Sequence, residues 1–541
     1  VISYEDYHHV IAVADMITES FESIALGRLT FGPTLADRDA FRRLGFAGWL
    51  DLQLESDHKS DPGADRRIAS ATLHVKYGSN PANDYPAVDE IRPLRYLDEP
   101  ISETWKLLDP DPKVSPPPER GRPRIDVAAA TLIRAVYSRW QLREVLTDFW
   151  HNHFNVNAAG DQTVGVTLPS YDRDVIRHNA LGNFRSFLEG VATSPAMLVY
   201  LNNRSSRAGS ANENYGRELL ELHTLGRNNY YNAVYDKWRK VPGALTGKPI
   251  GYIDQDVYEA ARAFTGWTIE DGSGVGPGQV LPRTGKFAYV ESWHDNYQKR
   301  VLATEFDPFQ SPMSDGRKVL DLVAFHPGTA HFVCQKLCRR FIGDNPSDAL
   351  VTGTAAVWTK NQRSPDQIAQ VVRFIATSPE FAASAGMKVK RPLEVAASYL
   401  RATGIDFTPT EGVINEIAAG GQRLFGWAPP TGHPDTNDYW LSTNAMRHRW
   451  SLILGLTDNY WQTGAFDPTA AMGQNDPTAL ATANYWQARL LGTADPSIAM
   501  NVLAAMKIDP GQRFPDGPKD AKAPLRHIVA YLAMGPNFQM R

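Results

Sequence analysis

The sequence predicts a mainly α protein: a large multi-helix domain with a small β-hairpin insertion around residues 266–306. Three observations lead there. Apolar residues recur at helical spacing in stretch after stretch, as in AFRRLGFAGWLDLQLES and HFVCQKLCRRF. From Gly266 to Phe306 that spacing gives way to short β-prone runs, TGWTIEDGSG, GKFAYVESWHD and KRVLATEF, joined by glycine-rich turns. The chain has 541 residues, 43 % of them hydrophobic and 21 % charged, which suits a soluble protein with a sizeable core. Three regions are expected: an N-terminal helical region over 1–115, a helical core over 125–455 that carries the insertion, and a C-terminal helical extension over 456–541 packed on that core.

The elements follow in order. Residues 4–112 read as helices, interrupted at Pro33 and Thr34. DPDPKVSPPPERGRPR, residues 109–124, holds too many prolines for a regular helix or an inner strand and reads as an exposed linker or extended strap. A long helix is expected over 125–149 and another over much of 173–199. NENYGRELLELHTLG, residues 212–226, has Asn212 as its N-cap and Gly226 as its stop. Residues 253–264 are helical again. After the insertion, helices are expected over 314–325, 328–342, 346–360, 365–376, 391–403 and 443–455. WAPPTGHPDTNDYW, residues 427–440, is an aromatic, proline-rich loop, and the tail mixes short helices with Gly-Pro connections.

Composition removes several functions. A formal net charge of -4 gives no general attraction to nucleic acid or anionic membrane. The apolar runs, such as SPAMLVYL, fall far short of the ~20 residues that span a bilayer. The two cysteines, Cys334 and Cys338, stand four apart in a helical pattern, a poor disulfide geometry, and read as buried thiols. The numbering opens at Val1 with no signal segment, so a targeting peptide is presumed removed and a periplasmic or extracellular location is expected. There is no G-x-G-x-x-G after a strand, P-loop, G-x-S-x-G elbow or H-E-x-x-H.

Two stretches carry most of the polar chemistry. In FWHNHFNVN, residues 149–157, an extended backbone would put His151, His153, Asn155 and Asn157 on one face, able to donate, accept or bind metal. A helix C-terminus whose histidines bond the last carbonyls is the other reading. In the 212–226 helix, Asn214, Arg217, Glu218 and Glu221 fall on one side. If that side is buried, the carboxylates are paired or shifted in pKa. Weaker signals are the ring of Trp267 after Gly266, the adjacent His294 and Asp295 in SWHDNY, the helix-start pair Arg391 and Glu394, and Trp427, His433 and Asp435 in the aromatic loop.

These residues bring a family pattern with them. LGRLTFGPT, FWHNHFNV, SPAMLVYLNN, NENYGRELLELHTLG, DVYEAARAFTGW, HPGTAHFVCQKLCRRF, KVKRPLEVAASYLRATG and FGWAPPTGHPD, in this order, resemble the bacterial family catalogued as domain of unknown function 1800. The resemblance implies an exported bacterial protein, often encoded beside members of another uncharacterised family, number 1501, and so a partner from that family. It brings no established reaction. Because the shared stretches are polar and come from distant parts of the chain, one composite pocket is expected.

Three functions remain open. The first is a hydrolase acting on carbohydrate, with Glu218 or Glu221 paired with Asp295 or Asp148 for acid–base work. His151, His153, Asn155, Asn214, Arg217, Trp267, His294, Trp427, His433 and Asp435 would line its substrate site, with no cofactor. The second is a metal-dependent enzyme whose divalent ion is held by His151, His153 and Glu218. The third is a non-catalytic scaffold of an exported complex.

Overall fold

The computed structural model describes residues 21–56, 59–82, 84–473, 477–514 and 522–541. Helices dominate, and among the described residues strands occur only as four antiparallel two-stranded pairs. One continuous hydrophobic core gathers residues from Ile24 to Phe538. At its centre Trp150, wholly buried, stacks on Phe154 at 5.9 Å and meets Phe187 edge-on at 5.2 Å. Its indole Nε1 donates to Ala180 O at 3.0 Å, so the ring is buried without an orphaned donor.

The helices expected between 314 and 455 form as Ser314–Ala324, Pro327–Phe341, Asp348–Lys360, Gln367–Ala376, Pro392–Thr403 and Thr443–Thr457. Cys334 and Cys338 are free and buried inside the second of these. The insertion forms three hairpin pairs, of which Trp267–Asp271 with Arg283–Tyr289 is the longest.

Elsewhere the structure corrects the reading. The helical stretch expected over 4–112 lies partly outside the described residues, and its later part contains a hairpin, Thr72–Tyr77 paired with Val88–Pro93. The reason is a period-2 pattern in TLHVKY: Leu73 and Val75 are buried while Thr72, His74 and Lys76 are exposed. The single helix expected over 125–149 is two, Arg122–Tyr137 and Gln141–His153. At the break, Ser138 is extended, its hydroxyl donates to Asp61 Oδ2 at 2.6 Å and accepts from Trp140 N at 3.0 Å. That local side-chain bonding competes with helix continuation. Residues 149–153, expected in a strand, continue the helix to His153, where Phe154 N still donates to Trp150 O at 2.8 Å. His151 and His153 therefore point about 200° apart instead of sharing a face.

Candidate functional site

The end of the Gln141–His153 helix walls a small cleft that the loop around residues 422–433 also lines. Two asparagines fasten that loop. Asn152 Nδ2 donates to His433 O at 2.9 Å, and His433 N donates back to Asn152 Oδ1 at 2.7 Å. Asn155 Nδ2 donates to Trp427 O at 3.0 Å and Pro429 O at 2.8 Å. Gly432, at φ 72°, lies so close to the Asn152 backbone carbonyl that a side chain there has no room. The amides of FWHNHFNVN thus hold the aromatic loop against the helix.

The charged groups of the cleft neutralise one another. Arg177 Nη1 donates to both oxygens of Glu144, at 3.0 and 2.8 Å, and its Nε donates to Asp172 Oδ2 at 2.9 Å. His151 Nε2 donates to Asp172 Oδ1 at 2.8 Å. Burial pushes the Asp172 carboxyl up, but Arg177 and His151 outweigh it and hold the group well below the usual range. Asp172 and Arg177 stand five residues apart, which on an α-helix would turn them away from each other. They meet because Tyr171–Arg177 is a π-helix, whose wider turn brings such residues together. Deeper in, Asp148 pairs with Arg391 and lies 3.6 Å from Arg340 Nη2. Arg391 and Arg340 both reach Glu394, which also takes Arg541 Nη2 at 3.2 Å. The pair Arg391 and Glu394 does open its helix, as the Glu394 side chain accepts from Arg391 N at 2.8 Å.

The second polar stretch meets the first at its buried end. His153 Nε2 donates to His223 O at 3.1 Å, and Lys336 Nζ donates to His153 Nδ1 at 2.9 Å. Those bonds fix the His153 tautomer, and burial with Lys336 beside it keeps its pKa well below the ordinary imidazole range. The helix starts as expected: the Asn212 side chain accepts from Asn214 N at 3.0 Å, and Gly226 ends the segment at φ 85°. After one and a half turns, Glu213–Glu218, it widens into a second π-helix, Leu219–His223. At Gly216 it packs so tightly on the helix Asp254–Ala263 that a Cβ would stand 2.8 Å from Val257 O.

On this helix the charges do not cancel. Arg217 turns outward, 3.1 Å from Asp254 and 3.6 Å from Glu213. Glu218 and Glu221 are half-buried and have no hydrogen bond or ion pair among the described residues. Burial, with Glu221 adding to it and Arg217 opposing, pushes the Glu218 carboxyl up to about 6. Tyr200 links this pair to the cleft. Its hydroxyl donates to Ala428 O at 2.6 Å, and burial pushes its pKa up to about 12, with Asn155 opposing and Glu218 adding. Asn155 itself lines the cleft. The buried Tyr252 hydroxyl has no partner among the described residues, and burial with Glu221 nearby raises its pKa.

The remaining expected site residues are placed otherwise. Trp267 lies wholly in the core against Phe264 and Phe287, so its ring cannot meet a substrate. His294 is buried, with Nδ1 donating to Thr265 O at 2.9 Å and Nε2 3.3 Å from Asp315. Asp295 is clasped by Arg262 through two bonds of 2.8 and 2.9 Å, which hold it below the usual carboxylate range despite its burial. As a second acid–base group, Asp295 and Asp148 are thus both already committed to guanidinium groups. Trp427 is half-buried, 4.6 Å from the His433 ring and 6.0 Å from Tyr439. Asp435 pairs with Lys388 at 2.9 Å. The metal set His151, His153 and Glu218 is not assembled, since His151 faces Asp172 and His153 faces His223. Among the described residues no three His, Cys, Asp or Glu side chains converge to hold a metal ion.

Sequence reasoning did not find Glu144, Asp172, Arg177, Tyr200 or Tyr252. Tyr200 stands in the quoted SPAMLVYLNN, but its apolar neighbours give no sign of a role. The Asp172–Arg177 spacing is legible only once a π-turn is known.

Fold and site together define a mainly α protein with a charge-compensated cleft beside an uncompensated pair of glutamates. The chain belongs to the family described as "Protein of unknown function (DUF1800)", whose profile matches residues 24–540. No curated protein and no solved structure matches it. No helix among the described residues is long and apolar enough to cross a membrane.

Proposed function

We propose that this chain is an exported hydrolase acting on carbohydrate, with Glu218 as its proton-transferring group. The observation that carries the reading is Glu218 itself. A half-buried carboxyl with no bonding partner, raised to about 6, holds its proton over a range where an ordinary glutamate has lost it. Glu221, also unpaired, sustains that shift by repulsion. With Asp148 and Asp295 bound to arginines, Glu221 is the carboxylate left to act with Glu218.

The carbohydrate part of the reading rests on what surrounds the pair. Tyr200 lies close enough to Glu218 to feel its charge, and its hydroxyl bonds Ala428 O in the aromatic loop. The adjoining cleft offers carboxylates, guanidiniums and amides whose formal charges balance, which suits the neutral hydroxyls of a sugar. Export and a partner from the neighbouring family, number 1501, follow from the family resemblance.

The test is a reducing-end assay against a panel of polysaccharides, run on the wild type and Glu218→Gln. Turnover by the wild type on at least one glycan, lost in the variant while the melting temperature does not fall, supports the reading. Equal turnover in both proteins sinks it. A scaffold role is favoured by a different observation, the complete pairing of Glu144, Asp172, Arg177, Asp148 and Arg391. Under that reading Glu218→Gln leaves capture of the partner protein intact and no glycan is cleaved by either form.

A further inference from the structure

Between the glutamate helix and the helix Asp254–Ala263, residues 231–250 fold into short turns that the reading above does not use. The turns Trp238–Lys240 and Ala244–Thr246 pack together over a small core of their own, Val241, Ala244 and Ile253, apart from the main one. Lys248 N donates to Gly243 O at 2.9 Å and Ile250 N to Pro242 O at 3.0 Å, so 242–250 closes into one narrow loop with Leu245 near its tip.

That core takes the inward apolar side chains. Three large ones are left outside: Leu245 is 74 % exposed, Tyr235 63 % and Ile250 49 %. Apolar side chains scattered singly over a surface need no explanation, but these stand among cations. Lys237, Arg239, Lys240 and Lys248 are all exposed, and none has an ion pair among the described residues. Asp236 is the one acid of 235–250. Arg300, itself 3.1 Å from Glu305, joins them from the insertion: it and Arg239 both lie 4.6 Å from the Trp238 ring. The chain as a whole carries a net charge of -4, so this concentration of cations is local.

Such a surface suits a lipid headgroup layer better than a protein. Lysine is depleted at protein interfaces, and a protruding side chain there needs a matching hollow. A bilayer interface deforms around such side chains. It takes leucine and isoleucine at its acyl boundary and tyrosine at headgroup level, and its anionic lipids attract lysine and arginine.

We propose that residues 231–250 form a peripheral membrane-docking surface. Leu245 and Ile250 enter an anionic lipid layer, and Lys237, Arg239, Lys240 and Lys248 rest on its headgroups. The inference involves no membrane span and does not depend on the hydrolase reading.

The test is co-sedimentation of the full chain with vesicles of phosphatidylglycerol and phosphatidylcholine in equal parts, beside vesicles of phosphatidylcholine alone. Binding is expected to the anionic vesicles only, and to fall as salt is raised. Lys240→Glu should weaken it about fivefold or more, and Leu245→Ser combined with Ile250→Ser roughly tenfold or more. All three side chains are exposed, so the variants are expected to fold. Absence of binding to the anionic vesicles overturns the proposal. So does equal binding to the neutral ones, or unchanged binding in either variant. Capture by polyglutamate as tight as by the vesicles, and undisturbed in the double variant, overturns it in favour of an acidic protein partner.

Discussion

Two acidic regions of this protein lie a few side chains apart and have opposite electrostatics. In the cleft, Glu144, Asp172 and Asp148 are each met by a guanidinium, and Asp172 by an imidazole as well. On the neighbouring helix, Glu218 and Glu221 are met by none. The same residue types therefore serve two ends. The paired carboxylates lock elements together, and Asp172 among them is pulled down, while the unpaired Glu218 is pushed up. Burial raises both kinds; the partner decides which way the balance falls.

Replacing Glu218 breaks the comparison most directly. A general acid contributes about 10²–10⁴-fold to rate, so Glu218→Gln is expected to lose that much turnover on any glycan the wild type cleaves, read by reducing ends. Below about pH 4.5 its stability should stay within about 0.5 kcal/mol of the wild type, as for a substitution that breaks no contact, and above about pH 6 the variant should be the more stable of the two. In the cleft the expectation reverses. Arg177→Met removes the bonded guanidinium from Glu144 and leaves Asp172 with His151, and should destabilise the fold by about 3 kcal/mol in urea unfolding. A loss under 1 kcal/mol would mean the lattice is held by other contacts.

The pH dependence sharpens the contrast by sign. Glu218 has a folded pKa above its unfolded value, so its contribution to stability is full below about 4.5 and is lost as pH rises through about 6. Asp172 is depressed, so its contribution is present above its unfolded pKa near 3.8 and is lost only as pH falls toward the folded value. Wild type measured against Glu218→Gln should therefore lose relative stability between pH 4.5 and 6. If Glu218 is the acid, turnover falls over the same rise. A flat difference across that window would show an unshifted carboxyl. The smallest expected effect is at the start of the glutamate helix, where Asn212→Ala removes the cap and should cost about 1 kcal/mol in thermal unfolding.

Much of the fold is legible in the sequence because helical spacing is a local signal. The helices between 314 and 455 fall where the apolar rows put them. What escaped is shorter than that signal or contradicts it. Six alternating residues at 72–77 disappear inside a helical neighbourhood. The polar positions 151, 153, 155 and 157 imitate a strand, although the helix begun at Gln141 runs on through two of them. At the site, the sequence shows that Glu218 and Glu221 share one segment. It cannot show that they are unpaired, because that depends on Arg217 finding Asp254, on another helix. Nor can it show that Asp148 and Asp295 are spent, since their arginines stand at 391 and 262.

The two widened turns, at Tyr171–Arg177 and Leu219–His223, have a consequence for how such a protein tolerates change. A π-turn amounts to one surplus residue lodged in an otherwise regular coil. Removing Leu219 or Leu220 would let the coil tighten and place Glu221 two residues after Glu218 instead of three, about 100° round the helix. The fold would survive in outline, but the glutamates would no longer share their present neighbours. Single-residue deletions there should be far more damaging than most substitutions of the same residues.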